Sequence, residues 1–254
     1  MSDVLTPDAL EAAALAMVEA RRTARPIDVV PPEWVPQTLA EAYRLQDAVM
    51  RHEGVAGGWK VLADGSDAPI CSPIPKSRYF EDGATLDRAG LMIFLTEVEV
   101  AVRLGQTLAP KGAPYTAAEA AEAIASVHPA LEMCATSFAA DLNAPHLLKM
   151  GDLQSNAAVI VGAALPGGAD IDFADLAIDL RYDGSSVEQT SQGAPWEQIT
   201  QALAWLANHA IGRGQTLNAG DVIITGARIK HPAAGPLAIE ARVAGMTPVR
   251  LALR

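Results

Sequence analysis

The stretch Phe94-Leu95-Thr96-Glu97-Val98-Glu99-Val100-Ala101-Val102-Arg103-Leu104 constrains this chain more than any other. It is dense in β-branched residues, and Gly105 and Pro110 follow it, which marks a β-strand. Side chains alternate faces along a strand. Phe94, Thr96, Val98, Val100 and Val102 therefore share one face, and Leu95, Glu97, Glu99, Ala101 and Arg103 the other. Two carboxylates stand side by side on a largely apolar strand. Like charges this close repel, and burying either one unpaired is expensive. Two readings follow from the strand alone. Either the stripe faces water, with Arg103 neutralising one glutamate, or a divalent cation that prefers hard oxygen ligands, Mg²⁺ or Mn²⁺, lies between the carboxylates.

The rest of the chain supplies a fold for that strand. Its 254 residues, half of them hydrophobic, suffice for one large domain or a small domain plus a larger one. A net charge of −11 argues against nucleic acid as a partner. Two cysteines, Cys71 and Cys134, fit a reducing compartment, although one disulfide stays open. Met1-Ser2-Asp3-Val4 carries no signal-peptide pattern and no apolar run approaches membrane-span length, so a soluble cytoplasmic protein with no membrane partner is expected.

Thr6-Pro7-Asp8 opens a first helix, with Leu10, Ala13, Ala14 and Met17 at helical spacing. A proline-marked connector leads to a second helix over roughly Thr38 to His52, stopped by Gly54. In Gly57-Gly58-Trp59-Lys60-Val61 the glycines either let the backbone approach something closely or simply turn into a strand with a solvated lysine. Residues 63–78 read as irregular. A boundary near residue 72 separates an N-terminal helical unit, 1–72, from a main domain, 73–254. Thr116 to Glu119 is a capping box that opens an alanine-rich helix to about Val127. Glu132 lies in another apolar, strand-like stretch and needs a partner there. A polar loop, Gly151-Asp152-Leu153-Gln154-Ser155-Asn156, precedes a buried strand. Asp183-Gly184 marks a hairpin, Pro195 to His209 a helix, Asp221 to Thr225 a strand ending in a polar turn, and Leu237 to Leu253 a closing hairpin through Gly245. Strands outnumber helices without alternating with them, which argues for α+β rather than a Rossmann or barrel plan.

Several of these pieces, in order, resemble the fumarylacetoacetate hydrolase superfamily, and within it the 2-keto-4-pentenoate hydratase and 4-oxalocrotonate decarboxylase group. They are Ala42-Tyr43-Arg44-Leu45-Gln46, Gly58-Trp59-Lys60-Val61, Glu97-Val98-Glu99, Pro129-Ala130-Leu131-Glu132, Asp152-Leu153-Gln154-Ser155 with Gly162, and Gly220 to Gly226. The resemblance implies an N-terminal helical cap on a strand-rich mixed sheet of that family's C-terminal type. It also implies that Glu97, Glu99 and Glu132 bind Mg²⁺ or Mn²⁺. The chain departs from the family pattern at Leu62-Ala63-Asp64-Gly65, at Ala135-Thr136-Ser137 and at Leu153. Lys76, Arg78, His146 and Lys149 either supply the positive charge that these departures remove or are ordinary surface residues, and His128 reads as structural rather than catalytic.

A 2-oxo acid offers a carboxylate oxygen and a keto or enol oxygen to one cation, which suits the implied chemistry. Such a lyase would hydrate a 2-hydroxy-alkadienoate in aromatic-compound catabolism, or decarboxylate a vinylogous keto acid. A non-catalytic paralogue serving as a partner subunit is a third reading. Lys60 is the candidate proton shuttle, its pKa lowered toward working pH by burial and a nearby cation, and it also touches substrate. Asp152 would orient Lys60 or the attacking water, while Ser155 and Thr225 would hold the substrate carboxylate; these three roles rest on the resemblance. A homo-oligomer is expected, with a sister hydratase or decarboxylase subunit as a further partner.

Overall fold

The computed structural model describes residues 5–65, 69–165 and 171–254. Met1-Ser2-Asp3-Val4 and residues 66–68 of the irregular stretch lie outside them. The elements are α1 (Pro7–Thr23), α2 (Leu39–Glu53), β1 (Ala56–Val61), β2 (Cys71–Pro75), β3 (Tyr79–Glu81), β4 (Ala84–Leu86) and β5 (Ile93–Leu104), then α3 (Ala117–Glu122), β6 (Ile124–Ala135), α4 (His146–Gly151) and β7 (Asn156–Val161). β8 (Asp175–Tyr182), β9 (Ser185–Gln192), α5 (Trp196–Gly212), β10 (Val222–Ile224), β11 (Ile229–Pro232), β12 (Leu237–Val243) and β13 (Val249–Leu253) complete the chain. Strands and helices are segregated rather than alternating, so the fold is α+β.

The larger sheet runs β2-β1-β10-β5-β6-β7-β3, with β11 paired to β5 beyond the end of β10. It is mixed: β1 lies parallel to β10 and β3 to β7, and the other pairs are antiparallel. A second sheet runs β4-β13-β12-β8-β9. Alternation along β5 sorts its side chains as the sequence requires. Val98 and Val100 join Leu131 and Met133 of β6 in a core closed by Leu180, Ile239 and Leu251 of the second sheet. Val102 and Leu104 pack instead with Ile199, Leu203 and Leu206 of α5. α1 and α2 form a third cluster through Leu10, Met17, Leu45 and Val49.

Several expectations change here. The capping box at Thr116 forms, but α3 ends at Glu122 rather than near Val127. Ile124 and Val127 pair with Leu104 and Val102 of β5, and ladder formation with core burial outweighs alanine's helix preference. β1, on the N-terminal side of residue 72, is an interior strand of the larger sheet. Its glycines serve strand packing, not a turn: a Cβ on Gly58 would stand 1.8 Å from the Val222 carbonyl oxygen of β10. Both cysteines are free thiols. Among the described residues no helix is long and apolar enough to cross a membrane.

Candidate metal centre

β5 and β6 are antiparallel with Glu97 directly opposite Glu132. Such a pair brings its side chains together on one face, and Glu99 follows two residues along on the same face. None of the three is solvated: Glu97 is 6% exposed, Glu99 1% and Glu132 0%. The water-facing stripe is therefore ruled out. Arg103 does not neutralise either glutamate; its guanidinium donates to the Gly220 carbonyl at 3.2 Å.

Other cations do the neutralising. Lys60, on β1, donates to both oxygens of Glu132 at 2.7 Å and to the Gln154 carbonyl at 3.4 Å. Asn156 adds an amide donor to Glu132 at 2.9 Å. Lys230, on β11 opposite Glu97, approaches its carboxylate at 3.1 Å. Arg228 supplies positive charge to Glu99 without a direct bond. Burial opposes ionisation of Glu97, but Lys60 and Lys230 outweigh it and hold its carboxyl below the usual range. Burial pushes Glu99 well above that range, with Arg228 pulling weakly the other way. Burial likewise works against the Lys60 ammonium, yet Glu132 outweighs it and lifts Lys60 above its ordinary value. The sequence reading lowered this pKa with a bound cation beside the lysine; in the ion pair with Glu132 alone the shift runs upward.

Four of these groups, Lys60, Glu97, Glu99 and Lys230, open on one cavity of about 290 Å³. Lys60, Glu97, Glu99, Ser155 and Lys230 line its polar side, and Leu62, Ile70 and Met150 its apolar side. Its rim is the interruption between β10 and β11, where Gly226 takes φ +105°. His146 and Lys149, open in the sequence reading between surface and site, also line it. Arg78 is no surface residue either; it is buried against Glu53 and the Asn156 carbonyl.

Ser155, read from the sequence as a holder of the substrate carboxylate, lines the cavity. It ends a turn in which Leu153, Gln154 and Ser155 all take left-handed backbone angles, φ +49°, +51° and +62°. Such angles are costly for residues with a Cβ and concentrate at functional sites. Two other candidates are not brought to the cavity. Asp152 is completely buried away from it, where Oδ1 accepts from Arg21 Nε at 3.0 Å and Ser137 Oγ at 2.8 Å, and Oδ2 from Ser137 N at 2.9 Å. It ties α1 to the segment after β6 and does not reach Lys60. The Thr225 hydroxyl is also committed, donating to Val100 O at 2.8 Å and accepting from Arg228 Nη2 at 3.1 Å. Its place is to hold Arg228.

The sequence reading missed Arg228, Lys230, Asn156 and Cys134. A signal existed for the first two: Arg228 and Lys230 alternate along Ala227-Arg228-Ile229-Lys230, matching the spacing of Glu97 and Glu99. Cys134 shares the glutamate face of β6, and Glu97, Glu132 and Cys134 each bring a ligand atom within 4.8 Å of the others.

The donors fit a divalent cation. Glu99 Oε2 is buried with no hydrogen-bond partner, which is expensive for a carboxylate oxygen unless something positive completes it. Hard carboxylate oxygens converging on a cavity suit Mg²⁺ or Mn²⁺.

The chain is similar to several known proteins. A 2-keto-4-pentenoate hydratase of Burkholderia vietnamiensis is 29% identical over 189 residues, 73% of this chain and 70% of that protein. A 4-oxalocrotonate decarboxylase of a Pseudomonas species is 26% identical over 196 residues, 75% of this chain and 73% of its own length. The crystal structure of 4-oxalocrotonate decarboxylase from Pseudomonas putida G7, complexed with magnesium and adipate, superposes with a TM-score of 0.83 at 23% identity, over 98% of each chain. Residues 73–243 match the fumarylacetoacetate (FAA) hydrolase C-terminal family. That span holds Glu97, Glu99, Glu132, Ser155 and Lys230, with the strands that present them, and the chain belongs to the fumarylacetoacetate hydrolase family.

Proposed function

We propose that this protein is a divalent-metal-dependent lyase that adds water to a 2-hydroxy-alkadienoate through its 2-oxo-alkenoate tautomer, a reaction of aromatic-compound catabolism. One observation carries the reading: Glu97, Glu99 and the Lys60 ammonium line a single cavity, and Lys60 also holds Glu132, which stands directly opposite Glu97. The relatives named as hydratases support the choice of reaction. Glu97, Glu99 and Glu132 would hold Mg²⁺ or Mn²⁺. When bound, such a cation polarises the 2-oxygen and stabilises negative charge there. Ketonisation takes a proton from the 2-hydroxyl and adds one at the fifth carbon; hydration then places hydroxyl on the fourth carbon and a proton on the third. Lys60, protonated and facing the cavity, is placed to donate and to neutralise charge on the substrate. The Ser155 hydroxyl is available at the wall to hold the substrate carboxylate. Leu62, Ile70 and Met150 surround the hydrocarbon chain and keep bulk water from it.

A second reading, decarboxylation of a dicarboxylate such as 4-oxalocrotonate, has one observation in its favour. Lys149 lines the cavity beside His146 and, among the described residues, its ammonium has no hydrogen bond or ion pair, so a second carboxylate would find a free cation there. The test offers purified protein with Mg²⁺ both substrates, following dienol loss by absorbance and CO₂ release separately. Hydration of the monocarboxylate, unaffected by Lys149→Met, is expected. CO₂ release that Lys149→Met abolishes would select the second reading. Binding of Mg²⁺ and oxalate with no turnover of either substrate would make the chain a non-catalytic subunit.

A further inference from the structure

Cys134 is unused by the chemistry above, yet it belongs to the same centre. It lies two residues after Glu132 on β6, so both side chains leave one face of the strand. It is 4% exposed. Its sulfur, one oxygen of Glu97 and one of Glu132 all fall within 4.8 Å of each other. A four-coordinate cation with metal–sulfur and metal–oxygen bonds of about 2.3 and 2.1 Å needs donor separations of roughly 3.5 Å. Small rotamer changes in two carboxylates and a thiol can supply that closure. A second, independent feature points to a cation beside this group: Glu99, 1% exposed and lining the same cavity as Glu97, has an oxygen that nothing satisfies.

We propose that Cys134 is an additional ligand that makes this centre take thiophilic divalent cations, of the Zn²⁺, Co²⁺ and Cd²⁺ class, in competition with Mg²⁺. The proposal rests on the reading of Glu97, Glu99 and Glu132 as a divalent centre. Mg²⁺ is hard, prefers oxygen and gains nothing from sulfur, so the carboxylates alone serve it. Softer cations gain a thiolate bond on top of the same oxygens, and their general affinity for such sites is already higher. Binding displaces the thiol proton to solvent, and no electrons are transferred. One side chain thereby sets a metal preference that the glutamates by themselves would leave to availability.

The test titrates chelator-stripped protein with Co²⁺ and reads the near-ultraviolet thiolate-to-cobalt charge-transfer band, then measures Cd²⁺ and Mg²⁺ affinities by calorimetry. Wild type and Cys71→Ala, whose cysteine lies in the core beneath α5, are expected to show the band. Cys134→Val and Cys134→Ser are expected to lose it and to bind Cd²⁺ about 10–100-fold more weakly, with Mg²⁺ affinity within about twofold. Two replacements of different polarity keep the test alive should one fail to fold. Co²⁺ bound without a charge-transfer band, or a band that survives in both variants, overturns the role of Cys134 and leaves the oxygen centre standing. No binding of Mg²⁺, Co²⁺ or Cd²⁺ by wild type overturns both that centre and the proposal.

Discussion

Lys60→Met removes one charge and keeps the apolar stem, so it isolates what the ammonium does for the buried glutamates. Glu132 is completely buried and receives both 2.7 Å contacts from Lys60. Without them it keeps the Asn156 amide alone. Removing one partner of a buried ion pair costs about 3–5 kcal/mol. The lower end applies, because Glu132 can take up a proton instead of staying charged. Burial pushes its carboxyl to about 7 even against the pull of Lys60, and losing that pull raises it further. A carboxyl whose folded value lies above its unfolded one binds a proton on folding, so stability falls as pH rises through that window and returns as pH is lowered. In chelator near pH 8, urea unfolding should show the variant about 3 kcal/mol less stable than wild type, the gap narrowing toward about pH 5. Mg²⁺ supplies the missing positive charge. A cation at a hundred times its dissociation constant adds about 2.7 kcal/mol, and the increment should be larger in the variant, where Lys60 no longer competes for Glu132. A variant as stable as wild type in chelator at every pH refutes the role given to Lys60. A destabilised variant indifferent to both Mg²⁺ and Mn²⁺ refutes the cation centre.

Asp152→Ala strips the partner from Arg21 and from the Ser137 amide, and should cost about 3 kcal/mol in urea unfolding; calorimetry should find Mg²⁺ affinity unchanged, and a stable variant with lost turnover would instead make Asp152 catalytic. Thr225→Val breaks the clasp between Val100 and Arg228 and should cost about 1–2 kcal/mol by the same assay. Burial raises the Glu99 carboxyl well above its ordinary range, so Mg²⁺ should compete with protons there; the enthalpy measured in buffers of different ionisation heat should reveal proton release, and affinity should weaken as pH falls. Burial lowers His128, whose ring bonds the Gly162 carbonyl and Ser126 hydroxyl at 2.8 Å. Its folded value lies below the unfolded one, so its contribution should be lost as pH falls below about 6.5, and His128→Asn should flatten that part of the stability profile.

Much of the fold was legible because the strongest local signals agree with the tertiary structure. Thr6 and Thr38 cap the helices that periodicity marks. Asp183-Gly184 turns a hairpin with both residues at positive φ. Glu97 and Glu99 were visible because alternation is a property of the strand itself. Their pairing with Glu132 was not, since register between strands is set by packing and not by either strand alone. β11 escaped notice because Ile229–Pro232 is four residues long and ends in proline. Asp152 misled for a physical reason: a buried carboxylate in a polar loop looks alike whether its partner is a substrate or an arginine, and Arg21 is 131 residues away. The left-handed turn at Leu153-Gln154-Ser155 carries no glycine to announce it.

Charge balance joins the cavity to its ligand. Three carboxyl groups stand with three cations, Lys60, Lys230 and Arg228. The balance is uneven, because Glu132 and Glu97 have direct partners at 2.7 and 3.1 Å while Glu99 has only a distant guanidinium and an unsatisfied oxygen. A divalent cation would complete Glu99 and, with all three glutamates ionised, leave the site formally two positive charges in excess. A neutral ligand would leave that excess in low dielectric, where it is costly. A 2-oxo acid in its enolate form brings one charge on the carboxylate and a second on the 2-oxygen. On the proposed function it would cancel the excess as the second charge develops, with the strongest attraction at the step that forms it rather than at initial binding.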